Sequence, residues 1–181
     1  MNRWERNGML LAQIAQLRER GSWCGETHVQ KASYFLQGLA RVPLGFDFIL
    51  YRHGPFSFEL RDELTELRAV RYLELESRPQ PYGPSFTVTP DGRRLMESHQ
   101  SVIEEFQESV SFVVDRLADK NVAELEQLAT ALFLTLRDGQ SDARSRAEAL
   151  HSAKPHISEE DAEQAVMTID RWRHESHALR T

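Results

Sequence analysis

The stretch FILYRHGPFSFEL, residues 48–60, decides the fold: an apolar run meets Arg52 and His53, breaks at Gly54-Pro55 and resumes with helical spacing. Arg52-His53 reads either as the start of an active site or as a bend between a strand and a helix. Phe46, Phe48 and Leu50 alternate with Asp47, Ile49 and Tyr51, the pattern of a short strand rich in aromatic and branched residues. Gly54 is pushed toward extended geometry by Pro55, and Pro55 donates no N–H, so the pair is expected to end the strand. Ser57 then has the position of an N-cap, with Leu60, Leu64, Leu67 and Val70 on one side of the helix that follows and Glu59, Asp62 and Glu63 near its positive end.

Outward from this stretch the chain keeps the same grammar. Upstream, Met9, Leu10, Ile14 and Leu17 predict a helix over 4–20 that stops at Gly21. Thr27 and Gln30 have capping-box spacing and predict a second helix to about residue 40, with Val29, Ala32, Leu36 and Leu39 as its stripe. Downstream, YLELES (72–77) and FTVT (86–89) flank a Pro- and Gly-rich link and predict a hairpin. Thr89-Pro90-Asp91 then opens a helix. The order helix, helix, strand, helix, hairpin, helix is that of a winged helix-turn-helix module over residues 1–98.

Residues 99–181 read as an α-helical C-terminal extension, which makes the fold class mainly α with a small β-hairpin. Ile103, Phe106, Val110, Val113 and Leu117 form one helical stripe, and Leu125, Leu128, Leu132 and Leu136 a second, behind an Asn121 cap with Glu124 at its third position. A last helix starts at Ser158 and carries Ala162, Val166, Ile169 and Trp172 on one face. The polar segment 137–157 reads as a mobile loop around a short helix.

VQKASYFLQ (29–37), FDFILYRHGPFSFELRDELTEL (46–67) and YGPSFTVTPDG (82–92) together carry a resemblance. They resemble a broad bacterial family of small winged-helix proteins that includes the YwgA-like proteins and the Panacea domain of SocA-like antitoxins. The likeness covers about the first 95 residues, and ISEEDAEQAVMTID (157–170) resembles the family's closing helix more loosely. Two departures stand out. Relatives have Tyr before the Gly-Pro where this chain has His53, and the C-terminal part is long for the antitoxin domain. The resemblance implies a non-enzymatic module that binds another protein: a toxin, a protease or an assembly subunit in a toxin–antitoxin, phage-defence or regulatory setting.

Charge divides the chain. Residues 1–98 hold 13 Lys and Arg against 12 Asp and Glu, whereas residues 99–181 hold 9 against 16, so the C-terminal part repels phosphates. Cys24 is the only cysteine, which excludes an intrachain disulfide and a cysteine-rich zinc site and suits a reducing cytoplasm. MLLAQIAQL (9–17) is too short and too interrupted for a signal peptide or a membrane span.

Arg52 and His53, with His28 or Glu59, are the one grouping that suggests acid–base chemistry, but no nucleophile, oxyanion site or metal accompanies them. A charged surface turn is the preferred reading, and no catalytic residue or cofactor is assigned. The seven histidines are scattered. His174 and His177 share a helix face near the chain end and are read as solvated rather than as ligands. No phosphate-binding glycine loop is present.

For DNA, Arg61, Arg68, Arg71, Arg78, Arg93 and Arg94 form a thin basic strip, opposed by Glu59, Asp62 and Glu63 on the helix that would enter the groove. DNA binding is therefore the second choice. Residue-type burial habits place Tyr34, Phe35, Phe56, Phe58 and Phe86 toward the core. The residues assigned to a protein partner are Tyr82, at the wing tip, and Arg52, His53 and Phe56 at the bend, with homodimerisation through the C-terminal helices as a further expectation.

Overall fold

A computed structural model describes residues 1–79, 83–138 and 142–178. The chain is mainly helical, with two small antiparallel strand pairs: α1 Arg3–Glu19, α2 Glu26–Gly38, β1 Ile49–Tyr51, β2 Gly54–Phe56, α3 Phe58–Ala69, β3 Leu73–Glu76, β4 Ser85–Val88 and α4 Pro90–Ser98. The remaining helices are α5 Gln100–Glu105, α6 Gln107–Leu117, α7 Val122–Asp138, α8 Ala143–Ala153 and α9 Glu159–Ala178. Among the described residues β1 pairs only with β2, and β3 only with β4.

Several helix starts follow from their caps. Asn2 and Glu5 bond reciprocally at the head of α1, Ser57 accepts from the Leu60 N–H, and Thr89 accepts from the Gly92 N–H ahead of Pro90. Asn121 and Glu124 close the same kind of box on α7, and Ser158 and Asp161 cap α9. The expected Thr27 box does not form. Gly25 is the N-cap of α2, without a side-chain bond, because the Gln30 amide is committed elsewhere.

The decisive stretch also differs from expectation. Only Ile49–Tyr51 of the run 46–51 is paired strand. The chain turns at Arg52-His53 and comes back as β2, so Gly54-Pro55 lies inside a strand rather than ending one, with Leu50 opposite Pro55 and Tyr51 opposite Gly54. Pro55 is tolerated because it occupies an outward-facing position, where no ladder N–H is required.

One buried cluster runs across residue 98. It joins Leu10, Ile14 and Leu17 of α1 and Val29, Phe35 and Leu36 of α2 to Val113, Leu125, Leu132, Leu150 and Ile169 from the C-terminal helices. α7 and α6 lie against α2, and α8 and α9 against α7. The apolar stripe of α9, Ala162, Val166, Ile169 and Trp172, is thus consumed inside the chain, with Trp172 edge-on to Phe35 at 5.9 Å. The long stripe expected from Ile103 onward breaks at Phe106 into α5 and α6. The polar segment after α7 holds the eleven-residue α8, whose Arg146 makes paired bonds of 2.7 and 2.6 Å to Asp170 of α9. A bidentate guanidinium–carboxylate pair of this kind fixes orientation as well as distance.

Candidate functional site

The β1–β2 hairpin is gripped from inside by α2. Gln30 and Gln37 stand seven residues apart on one helix face. Gln30 donates to the Ser57 carbonyl and accepts from its N–H, both at 2.9 Å. Gln37 does the same for Phe46 at 2.8 and 2.9 Å. Each amide thus replaces a neighbouring strand at one end of the stretch. Between them Lys31 Nζ donates to the Pro55 carbonyl at 2.8 Å, and the Tyr34 ring packs against Phe48 at 5.0 Å.

The C-terminal helices grip the same hairpin from the other side. Lys154 Nζ donates to the Tyr51 carbonyl at 3.0 Å and also to that of Arg52. It lies 2.9 Å from Glu126 Oε1, an ion-pair contact without hydrogen-bond alignment. His53 Nδ1 is 3.4 Å from Glu126 Oε2 and His156 Nε2 is 3.5 Å from Oε1, with both rings exposed over the buried carboxylate. Burial pushes the Glu126 carboxyl up, but the Lys154 ammonium, His53 and His156 together outweigh it and hold it below the ordinary glutamate value. Lys31 is fully buried, and that burial brings its ammonium down to about 8.

This cluster is what the sequence grouping became. His28 and Glu59 do not join His53: His28 is buried with Nε2 2.9 Å from the Lys120 carbonyl, and Glu59 accepts from the Asp47 N–H at 3.3 Å. Their places are taken by Glu126 and His156, which no local signal connects to the bend. The buried Lys31 and Lys154 ammonium groups are spent on main-chain carbonyls of the hairpin, so the cluster acts as a fastening. Among the described residues no group of three His, Cys, Asp or Glu side chains has metal-holding geometry, and His174 and His177 stay exposed on α9.

The fastening turns the other hairpin face to solvent. Ile49, Tyr51 and Phe58 are 50, 45 and 41% exposed, and Phe56 is half-buried beside them. The three rings touch one another, with centroids 5.8 Å apart for Tyr51 and Phe56, 5.7 Å for Tyr51 and Phe58, and 5.2 Å for Phe56 and Phe58. Arg61 extends the surface by lying 5.0 Å over the Phe58 ring. Phe58, expected in the core, is at the first position of α3, where its side chain clears the helix and joins the strand residues. Of eight exposed large apolar side chains among the described residues, three belong to this one patch. Exposed apolar residues are ordinarily scattered singly over a surface, whereas these are contiguous. Arg52 and His53 edge the patch, and Tyr82 lies outside the described residues.

The basic strip is less available. Arg78 donates to the Ser85 hydroxyl at 2.8 Å and covers the Trp23 ring at 5.3 Å, and Arg94 pairs with Asp91. Arg68, Arg71 and Arg93 are exposed and have no ion-pair partner among the described residues. Glu63 is buried and takes Arg3 and Asn7 at 3.0 Å and Arg6 at 3.1 Å, so this acidic group of α3 is turned onto α1. A cavity of about 730 Å³ lies between α3, the start of α2 and the α6–α7 link; Trp23, Leu64, Leu75 and Phe86 line it, with Arg61 and Arg68 at its side. No family model matches the chain, and no curated protein matches it.

Proposed function

We propose that the protein is a non-enzymatic binding module whose β1–β2 hairpin presents Tyr51, Phe56 and Phe58 to another protein. The observation that carries this reading is the three-ring patch, held outward by a hairpin that Gln30, Lys31, Gln37 and Lys154 fasten from behind. Aromatic residues on a rigid support lose little conformational freedom on binding, which is why they dominate interface energetics. The element order over residues 1–98 supports a winged-helix arrangement in which β3–β4 is the wing. The resemblance to antitoxin-type winged-helix proteins supports a toxin, protease or assembly subunit as the partner.

A photo-crosslinking residue placed at Phe58 in the native host captures that partner, and binding is then measured with purified proteins. Phe58→Ser and Tyr51→Ala are expected to weaken binding at least about tenfold, as for interface anchors that each supply roughly 1.4 kcal/mol or more, without lowering the unfolding midpoint. A partner that binds both variants as it binds the parent would refute the reading. The second reading is DNA binding, favoured by Arg68, Arg71 and Arg93, which have no ion-pair partner among the described residues. A mobility shift at low salt that falls steeply with added salt and depends on Arg93 and Arg94 would establish it in place of the first.

A further inference from the structure

We infer that the partner engages β1 by strand addition: an extended segment of another protein pairs with the open edge of β1 and lays its alternate apolar side chains on Tyr51, Phe56 and Phe58. The inference rests on the reading that this patch binds protein, and adds to it how the partner is held.

The two edges of the hairpin are treated differently. On the β2 side every outward group is occupied or missing: Pro55 has no N–H, its carbonyl takes Lys31, and both backbone groups of Ser57 take Gln30. In an antiparallel pair two residues opposite each other turn their backbone groups either both inward or both outward. Pro55 faces outward, so Leu50, its partner across the hairpin, presents its own N–H and C=O to the opposite, open side. Among the described residues no side chain, and no backbone group outside the hairpin, bonds to Leu50 there. Phe48, two residues back, continues the same side.

The open stretch has defined limits. Lys154 closes it at the Tyr51 and Arg52 carbonyls, while Glu59 and Gln37 occupy the Asp47 and Phe46 N–H groups at the other end. Edge strands are ordinarily blunted by proline, a charge or a covering element. Pro55 and α2 do this for β2, whereas on β1 the only such device is Lys154 at the Tyr51 end, and Ile49-Leu50 carries neither a proline nor a charged side chain.

Charge sets the occupant's polarity. Arg52 is exposed and has no ion-pair partner among the described residues, and it stands at one end of the edge; Asp47 and Glu59 stand at the other. A segment that fits is extended, apolar at alternate positions, acidic beside Arg52 and neutral or basic beside Asp47. Main-chain bonds supply affinity in such complexes, and the alternate side chains supply specificity.

The test is a selection of random twelve-residue displayed peptides on the full chain, followed by titration of the synthesised binders against the parent, Leu50→Pro and Phe58→Ser. Proline at an outward edge position deletes the donor without breaking the ladder. Alternating, acid-bearing peptides are expected, weakened at least about tenfold by either substitution and slowing exchange of the Leu50 amide when bound. Scanning the peptide with N-methyl groups on the parent protein gives the same readout if Leu50→Pro fails to fold: methylation at alternate residues abolishes binding and at the intervening ones does not. Binding that survives Leu50→Pro and every N-methyl position but is lost in Phe58→Ser overturns strand addition and leaves the patch reading standing. Selection that yields no binders, or binders indifferent to both substitutions, overturns both. Sedimentation of the parent as a dimer and of Leu50→Pro as a monomer overturns the inference in favour of a second copy on this edge.

Discussion

Lys31 Nζ donates to the Pro55 carbonyl at 2.8 Å, joining the middle of α2 to the middle of the hairpin. The bond explains two features at once. It satisfies the outward carbonyl of a residue that cannot take part fully in a sheet, and it gives a buried ammonium a partner in a place where an unpaired charge is costly. Gln30, Tyr34 and Gln37 continue the grip along the same helix, so the hairpin's outer face is presented on a fixed base.

Stability is expected to depend on pH through Lys31. Its folded value of about 8 lies below the 10.5 of a free lysine, so the folded state loses the proton first. The cost of burying the ammonium is fully present below about pH 8 and is relieved as pH climbs toward 10.5, by up to about 3 kcal/mol. Urea unfolding at pH 7.5 and pH 10 checks it: the parent gains stability over this interval relative to Lys31→Met. Equal pH slopes in the two proteins would show that Lys31 is not the cause.

Glu126 makes stability rise with pH as well, but in an acid window, and there the charged form is the stabilising one. Its carboxyl is held below the ordinary value, chiefly against burial by Lys154, so its stabilisation is present above about pH 4.5 and is lost as pH falls through the lower folded value. Glu126→Gln leaves the Lys154 ammonium buried without its counter-charge and is expected to cost about 3 kcal/mol at pH 7. Adding Lys154→Met to that variant is expected to recover part of the loss. A double variant no better than the single one in a denaturant titration would mean that the pair is not coupled.

Two of the three resemblance segments of the sequence touch each other. VQKASYFLQ supplies Gln30, Lys31, Tyr34 and Gln37, and the stretch from residue 46 onward supplies the Phe46, Phe48, Pro55 and Ser57 that they hold. Helix starts at Ser57, Thr89, Asn121 and Ser158 were legible because a cap acts over three residues. The return of the chain as β2 was not, because its acceptability depends on side chains contributed by α2, and propensity penalises a proline regardless of which way its nitrogen faces. Phe58 was misplaced for a related reason: burial habits describe a residue type, whereas its exposure follows from standing at the first turn of α3 beside two strand aromatics. Glu126, Lys154 and His156 reach the bend only through tertiary packing of the C-terminal helices.

Gly54 is expected to be the least replaceable residue of the hairpin. Its φ is +80°, in the left-handed region, and a Cβ there would stand 3.0 Å from Thr130 Oγ1 and 3.4 Å from the Glu126 carbonyl. Gly54→Ala therefore combines backbone strain of about 1 kcal/mol with displacement of the hairpin from α7. Thermal unfolding is expected to fall by several degrees, with the Lys154 contacts to Tyr51 and Arg52 loosened first. A midpoint within a degree of the parent would contradict this.

Gly92 tests the other strand pair independently. Its backbone φ is ordinary, so strain plays no part, but a Cβ would run into the Tyr72 carbonyl and approach Val88 Cγ1 at 2.9 Å. The Tyr72 carbonyl also accepts the Thr89 N–H at 3.1 Å, and Thr89 caps α4, so the obstruction lies where β4 hands over to that helix. Gly92→Ala is expected to destabilise the protein by about 2 kcal/mol or more despite the higher helix propensity of alanine, because a rigid main-chain carbonyl has to move. Gly83→Ala, where a Cβ would meet open space, is the matched control and is expected to be neutral. Equal unfolding midpoints for the two variants would show that the close approach of α4 to Tyr72 does not constrain the fold.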